Sequence, residues 1–242
     1  MRYWDPTTCV YITCTRDHPI HLREAATGAI RCTYRPYNHL DEVEAPKSVA
    51  FNPDGTKIYC GFEKMIRIFD TSRPGRDHID VKTLAHKRAK GQRGIISTIA
   101  FSPATLSLYA AGSYDRSIAL YVDNDCSPVA RLKGSKGGVT QVKFSPDGLY
   151  VYSGGRRDDY IMCWDVRMGG KLAGRMKRTA DTNQRLQFDI DPQGKYLATG
   201  SQDATIRVFD LNGDWPEDYN TYDSQCSSSS YVRGVPLYLH LI

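Results

Sequence analysis

An all-β chain, built as an arc of antiparallel propeller blades, is predicted by three observations. A pattern of strands recurs along the chain, prolines mark its period, and turn residues fall at matching offsets within the copies. Each is an ordinary consequence of repeating one supersecondary unit that cannot bury its apolar faces alone.

The clearest copies are VTQVKFSPDGLYVYSGGRRDDYIMCWD, residues 139–165, and LQFDIDPQGKYLATGSQDATIRVFD, residues 186–210. Each reads as three short strands with alternating apolar residues, joined by tight turns. Pro6, Pro53, Pro103, Pro146 and Pro192 are spaced by 47, 50, 43 and 46 residues, which suits a blade of ~40–45 residues. Copies close on an aromatic and an acid, Phe69-Asp70, Trp164-Asp165 and Phe209-Asp210, the mark of a WD repeat. Trp4-Asp5 is not such a pair. Pro6 follows it directly, so it stands where Phe144-Ser145 stands before Pro146, and the first copy's own pair is Arg23-Glu24.

Turn chemistry fixes the register. Asn52-Pro53-Asp54-Gly55 and Ser145-Pro146-Asp147-Gly148 supply a proline with preset φ and a glycine free to take positive φ. At the other ends of the strands lie Gly112-Ser113-Tyr114-Asp115, Gly154-Gly155-Arg156-Arg157-Asp158 and Gly200-Ser201-Gln202-Asp203, whose aspartates suit turn amides. The expected repeats lie near 4–34, 46–86, 94–132, 138–176 and 184–213, making residues 1–213 a propeller arc. Residues 214–242 read as a polar linker and an incomplete or divergent last blade, with serines at 227–230 and a sixth blade starting near Pro236. Propellers usually have about 4–8 blades, so a partial ring drawn from about seven is expected.

Composition bounds the function. Hydrophobic residues make up 40% and charged residues 24% of the 242-residue chain, with 16 Tyr and 20 Gly favouring strands and turns. No apolar run approaches the ~20 residues of a membrane helix, and the first residues lack a secretory pattern. Partners are therefore expected in solution, not in a membrane. Cys9, Cys14, Cys32, Cys60, Cys126, Cys163 and Cys226 show no Cys-x-x-Cys spacing and read as reduced, buried thiols of a cytosolic or nuclear protein.

No catalytic residue, metal site or cofactor is predicted. The histidines do not converge, and Asp158-Asp159 and Asp189-x-Asp191 fall on turns, where aspartate satisfies backbone donors. Gly134-Ser135-Lys136-Gly137-Gly138 lacks the Gly-Lys-Ser/Thr ending of a phosphate loop and reads as an inter-blade turn, with Ser135 where such repeats carry histidine. The chain is read as a binding platform and not an enzyme.

The net charge of +5 matters through its placement. Lys82 to Arg93 holds five Lys and Arg with no acid, and Arg131, Lys133, Lys136, Arg156, Arg157, the run from Lys171 to Arg178, and Arg185 follow. Apart from a few on the flanking strands, these are expected on the loops of one face, with Tyr37, Phe62, Tyr114 and Tyr160 beside them. Cations that hold phosphates next to rings that stack bases suit single-stranded RNA, although a solvated rim or a nuclear import signal would use the same residues.

Four strings lie outside the generic repeat: Tyr37-Asn38-His39-Leu40-Asp41-Glu42, Arg73-Pro74-Gly75-Arg76-Asp77, Gly94-Ile95-Ile96-Ser97 and Thr182-Asn183-Gln184-Arg185. On these, from about Thr8 to Leu211, the chain resembles the telomerase Cajal body protein family of WD-repeat factors. The resemblance implies a nuclear, Cajal-body scaffold that binds the CAB box of small Cajal-body RNAs and telomerase RNA. It implies partnership with H/ACA ribonucleoprotein proteins and folding assisted by the cytosolic chaperonin. Carried over by position, it implies RNA contacts at Tyr37, Asn38, His39, Lys64, Arg156, Arg157, Asn183, Gln184 and Arg185. A WD-repeat adaptor that docks only proteins is the competing reading, and a weak salt dependence of binding would mark it.

Overall fold

The computed structural model describes residues 9–84, 91–123 and 128–212, and their regular structure is entirely strand. Trp4-Asp5-Pro6, Cys126, Cys226, the tail 214–242 and the centre of the basic 82–93 segment lie outside the described residues. Five antiparallel sheets follow one another along the chain. The first holds β1 (Val10–Thr13), β2 (Ile20–Glu24) and β3 (Ile30–Tyr34). The second holds β4 (Ser48–Phe51), β5 (Lys57–Phe62), β6 (Met65–Asp70) and β7 (Ile79–Lys82). The third holds β8 (Ile96–Phe101), β9 (Leu108–Ser113), β10 (Ser117–Val122) and β11 (Pro128–Lys133). The fourth holds β12 (Val139–Phe144), β13 (Tyr150–Gly155), β14 (Tyr160–Asp165) and β15 (Lys171–Lys177). The fifth holds β16 (Phe188–Ile190), β17 (Tyr196–Gly200) and β18 (Ile206–Asp210). Every sheet is a meander, which makes this a partial WD-repeat propeller.

Alternation along the strands explains how the sheets stack. In β5, Ile58 and Cys60 turn towards the first sheet while Tyr59 turns towards the third. Four apolar clusters result, one at each junction between successive sheets. The first strands lie closest to their counterparts and are stitched across by polar bonds: Ser48 Oγ donates to the Ile96 carbonyl at 3.0 Å, and Gln141 exchanges two bonds of 2.8 Å with the Phe188 backbone.

The proline turns form as the spacing predicts. The amides of Gly55, Gly148 and Gly194 donate to Asn52, Ser145 and Asp191 carbonyls at 2.9–3.0 Å, and all three glycines have φ near +70° (+72°, +72° and +71°). The cysteines differ from expectation. All five described thiols are free, but only Cys60 and Cys163 are buried, because Cys32 lies in the first sheet and Cys9 and Cys14 flank its first strand, and among the described residues that sheet is covered on one side only.

The turns between second and third strands are pinned by aspartates. Asp115 accepts the Arg93 amide at 2.5 Å, the Ser117 amide at 3.0 Å and the Ser117 hydroxyl. Burial pulls its carboxyl upward, but these donors outweigh that and hold it below the usual range. Asp158 accepts the Lys136 and Tyr160 amides at 2.9 and 3.2 Å but has tyrosine where Asp115 has Ser117, and burial leaves its carboxyl raised. The two must respond oppositely to pH. Stability from Asp115 is present above the unfolded pKa of about 3.9 and is lost as pH falls through its lower folded value. Ionised Asp158 instead costs stability as pH rises above about 4. In thermal melts, Asp115→Asn is expected to lower stability by about 1.5 kcal/mol at pH 7 and by less at pH 3. Asp158→Asn should compare better with the parent at pH 7 than at pH 3.

A candidate nucleic-acid interface

In a meander the second-to-third turns emerge on the same side as the connections that lead to the next sheet. Hydrogen bonds tie them together: Lys64 to Gly94 at 3.1 Å, Tyr114 to Ile95 at 3.0 Å, Arg156 to Gly138 at 2.9 Å and Arg157 to Thr182 at 3.0 Å, each amide donating to a carbonyl. At the turns Lys64, Arg116 and Arg157 take positive φ of 58°, 69° and 47°. A left-handed backbone at a non-glycine costs roughly 1–2 kcal/mol, so three cations are displayed from positions where glycine would fit more easily.

Tyr114 is the hub of this face. It packs closely on Gly138, where an added Cβ would lie 3.0 Å from the Tyr114 carbonyl oxygen. The Arg156 guanidinium lies 4.1 Å and that of Arg185 5.7 Å from the ring centre, and both donate to the phenol oxygen, at 2.7 and 2.5 Å. Among the described residues neither arginine forms an ion pair with a carboxylate. Three successive units of the fold thus bring two positive charges onto one neutral oxygen, and an anion entering there would relieve their repulsion.

Of the residues predicted from sequence, Arg156 and Arg185 come together here, and Arg157 is exposed on the same turn as Arg156. Asn183 and Gln184 are exposed on the same connection as Arg185, where the Gln184 amide donates to Thr182 Oγ1 at 3.2 Å. Lys64 lies on this side but in the second sheet, its ammonium 2.6 Å from Glu63. Tyr37, Asn38 and His39 are placed elsewhere, in a small hairpin between β3 and β4 on the flank of the second sheet. Arg67 Nη1 donates to the Tyr37 carbonyl at 2.9 Å, and the Arg76 guanidinium sits 3.8 Å over the Tyr37 ring. The Asn38 side chain is consumed locally, accepting the Leu40 and Glu42 amides at 2.8 and 3.0 Å.

Other basic residues also depart from the expected face. Arg131 and Lys133 lie on β11, and Lys171 and Arg175 on β15, the outermost strands of their sheets, so they belong to the rim. Tyr114 was legible as a ring near the turns but not as a contact. Its signal is alignment: it occupies the turn position that Arg156 occupies in the next repeat. Among the described residues no group of three or more His, Cys, Asp or Glu gathers as a metal site would require, and no helix is long and apolar enough to cross a membrane.

The WD domain, G-beta repeat family matches residues 30–70, 126–165 and 184–210. Telomerase Cajal body protein 1 of Homo sapiens is 47% identical over 208 residues, 86% of this chain and 37% of that protein. The rat protein of the same name is 46% identical over 208 residues, 86% of the chain and 38% of its own length. The Drosophila melanogaster homolog is 35% identical over 220 residues, 87% of the chain and 38% of its own. Over most of its length the chain is similar to proteins named telomerase Cajal body protein 1, and it carries WD repeats. It spans about two fifths of the length of these relatives. The first two matched WD segments each begin one strand before a sheet does, at β3 and at β11. Each of these two segments therefore contributes its first strand to one sheet and the rest to the next, which ties neighbours together covalently.

Proposed function

We propose that this chain is a non-catalytic, RNA-binding scaffold that recognises the CAB box of small Cajal-body RNAs and telomerase RNA and directs the ribonucleoprotein to Cajal bodies in the nucleus. The observation that carries the reading is the convergence of Arg156 and Arg185 on Tyr114, with Arg157 exposed beside them. Guanidiniums take phosphate by charge-assisted bonds, and the ring offers a face for a splayed base. The names of the relatives, which speak of telomerase and the Cajal body, support the choice of RNA. H/ACA ribonucleoprotein proteins are the proposed protein partners, and the cytosolic chaperonin is proposed to assist folding, because meanders closed by long-range sheet stacking fold slowly.

Binding of a CAB-box oligonucleotide, measured by fluorescence anisotropy across a salt series, tests this reading. Affinity is expected to fall with salt by a slope of about 0.7 per phosphate contact. Arg156→Gln with Arg185→Gln should weaken binding at least tenfold and flatten that slope, with the melting temperature nearly unchanged. Binding that ignores both salt and these substitutions would favour a scaffold that docks proteins alone.

A further inference from the structure

Outside the Tyr114 cluster the molecule holds a second cationic feature, a groove of about 510 Å³ where the rim strand β11 meets the fourth sheet. Arg131 and Lys133 form one wall and Arg175 on β15 the other, while Met162 and Trp164 make the floor. No carboxylate is among the described residues that line it. Gly134 and Gly170 also line it, and neither tolerates a larger residue: a Cβ at Gly134 would sit 3.1 Å from the Trp164 ring, and one at Gly170 would meet Leu132 at 1.8 Å. Arg131 Nε is buried without a hydrogen-bond partner, so the desolvation of that guanidinium is not offset by a protein acceptor at this atom.

The groove is continuous with the Tyr114 face. Tyr160 is the link, with Lys136 5.8 Å and Arg175 4.8 Å from its ring centre. Lys136 is anchored by its amide to Asp158, the neighbour of Arg157. A track of positive charge with one aromatic platform thus leads from the turns over the edge of the fourth sheet and down its rim. Its charge suits the regularly spaced phosphates of an RNA backbone.

We infer that the Arg131, Lys133 and Arg175 groove holds the sugar-phosphate backbone of the RNA outside the loop that the Tyr114 face reads, so that one RNA is held at two places. This rests on the proposed RNA function. The groove supplies register and affinity and no base selectivity, since its charged groups present donors suited to phosphate and not an arrangement matched to base edges.

Two RNA probes separate the two claims: a CAB-box sequence as a short single strand, and the same loop closed by a stem. Lys133→Gln with Arg175→Gln in the full chain should weaken the stem-loop about tenfold and lower its salt slope by about 1–2. The short strand should bind as before. Lys133→Glu, at an exposed position, should give the same pattern if the double variant folds poorly. Equal losses on both probes, or no loss on either, overturn the inference. So does a polyglutamate peptide that binds the parent and not the variants while the stem-loop is unaffected, since the groove would then serve an acidic protein. Failure of the parent to bind either RNA removes the proposed function itself.

Discussion

Trp164→Ala is expected to lower stability by about 3–5 kcal/mol, the usual cost of emptying a buried aromatic site. The ring is 2% exposed, packs with Leu132 and Val151 at the junction of the third and fourth sheets, and donates from Nε1 to Ser153 Oγ at 2.9 Å. Truncation therefore removes apolar burial and leaves the buried Ser153 hydroxyl without that donor. Phe209 has the same place in its repeat but is only half-buried, because no described strand lies beyond β18. Phe209→Ala should cost roughly half as much. Urea unfolding followed by fluorescence checks both. A Trp164 loss below about 1 kcal/mol would mean that this junction does not carry the fold.

That contrast also marks what was legible. Trp164 and Phe209 are equivalent in sequence, so their shared role as sheet-closing aromatics could be read there, while their unequal burial depends on which neighbours stack against them. The strands and turns were legible because alternation and the Pro-x-Gly turns are local, and Gly55, Gly148 and Gly194 adopt the left-handed backbone their offsets imply. The interface was legible only in part. Arg156, Arg157 and Arg185 lie on turns whose side of the molecule follows from counting strands. Arg131 and Arg175 could not be assigned in that way, because their positions on outer strands place them on the rim. Asn38 is implied by the resemblance alone, and the sequence does not show that its side-chain oxygen also caps its own hairpin, a use that short-range polar residues often serve.

Gly137→Ala is expected to damage the candidate interface more than any single loss of charge, although Gly137 carries no side chain of its own. An added Cβ would lie 1.5 Å from the Arg156 carbonyl oxygen and 2.7 Å from its carbon, both backbone atoms that cannot rotate away. The turn carrying Arg156 must move, and with it the 2.9 Å bond from the Arg156 amide to Gly138 and the contact of its guanidinium with Tyr114. Overpacking of this kind costs about 3 kcal/mol, and a shift of about 1 Å in a positioned group is enough to lose most of its binding contribution. Gly169→Ala is the control. Its φ of +64° makes alanine strained, yet nothing lies within 4 Å of the new methyl, so the cost should stay near 1 kcal/mol. Measured on the same RNA, Gly137→Ala should bind at least tenfold more weakly under conditions where melts show it still folded, and Gly169→Ala should bind like the parent. Equal affinities for the two would mean that the position of Arg156 is irrelevant to RNA, and the Tyr114 cluster would then be a structural knot between sheets.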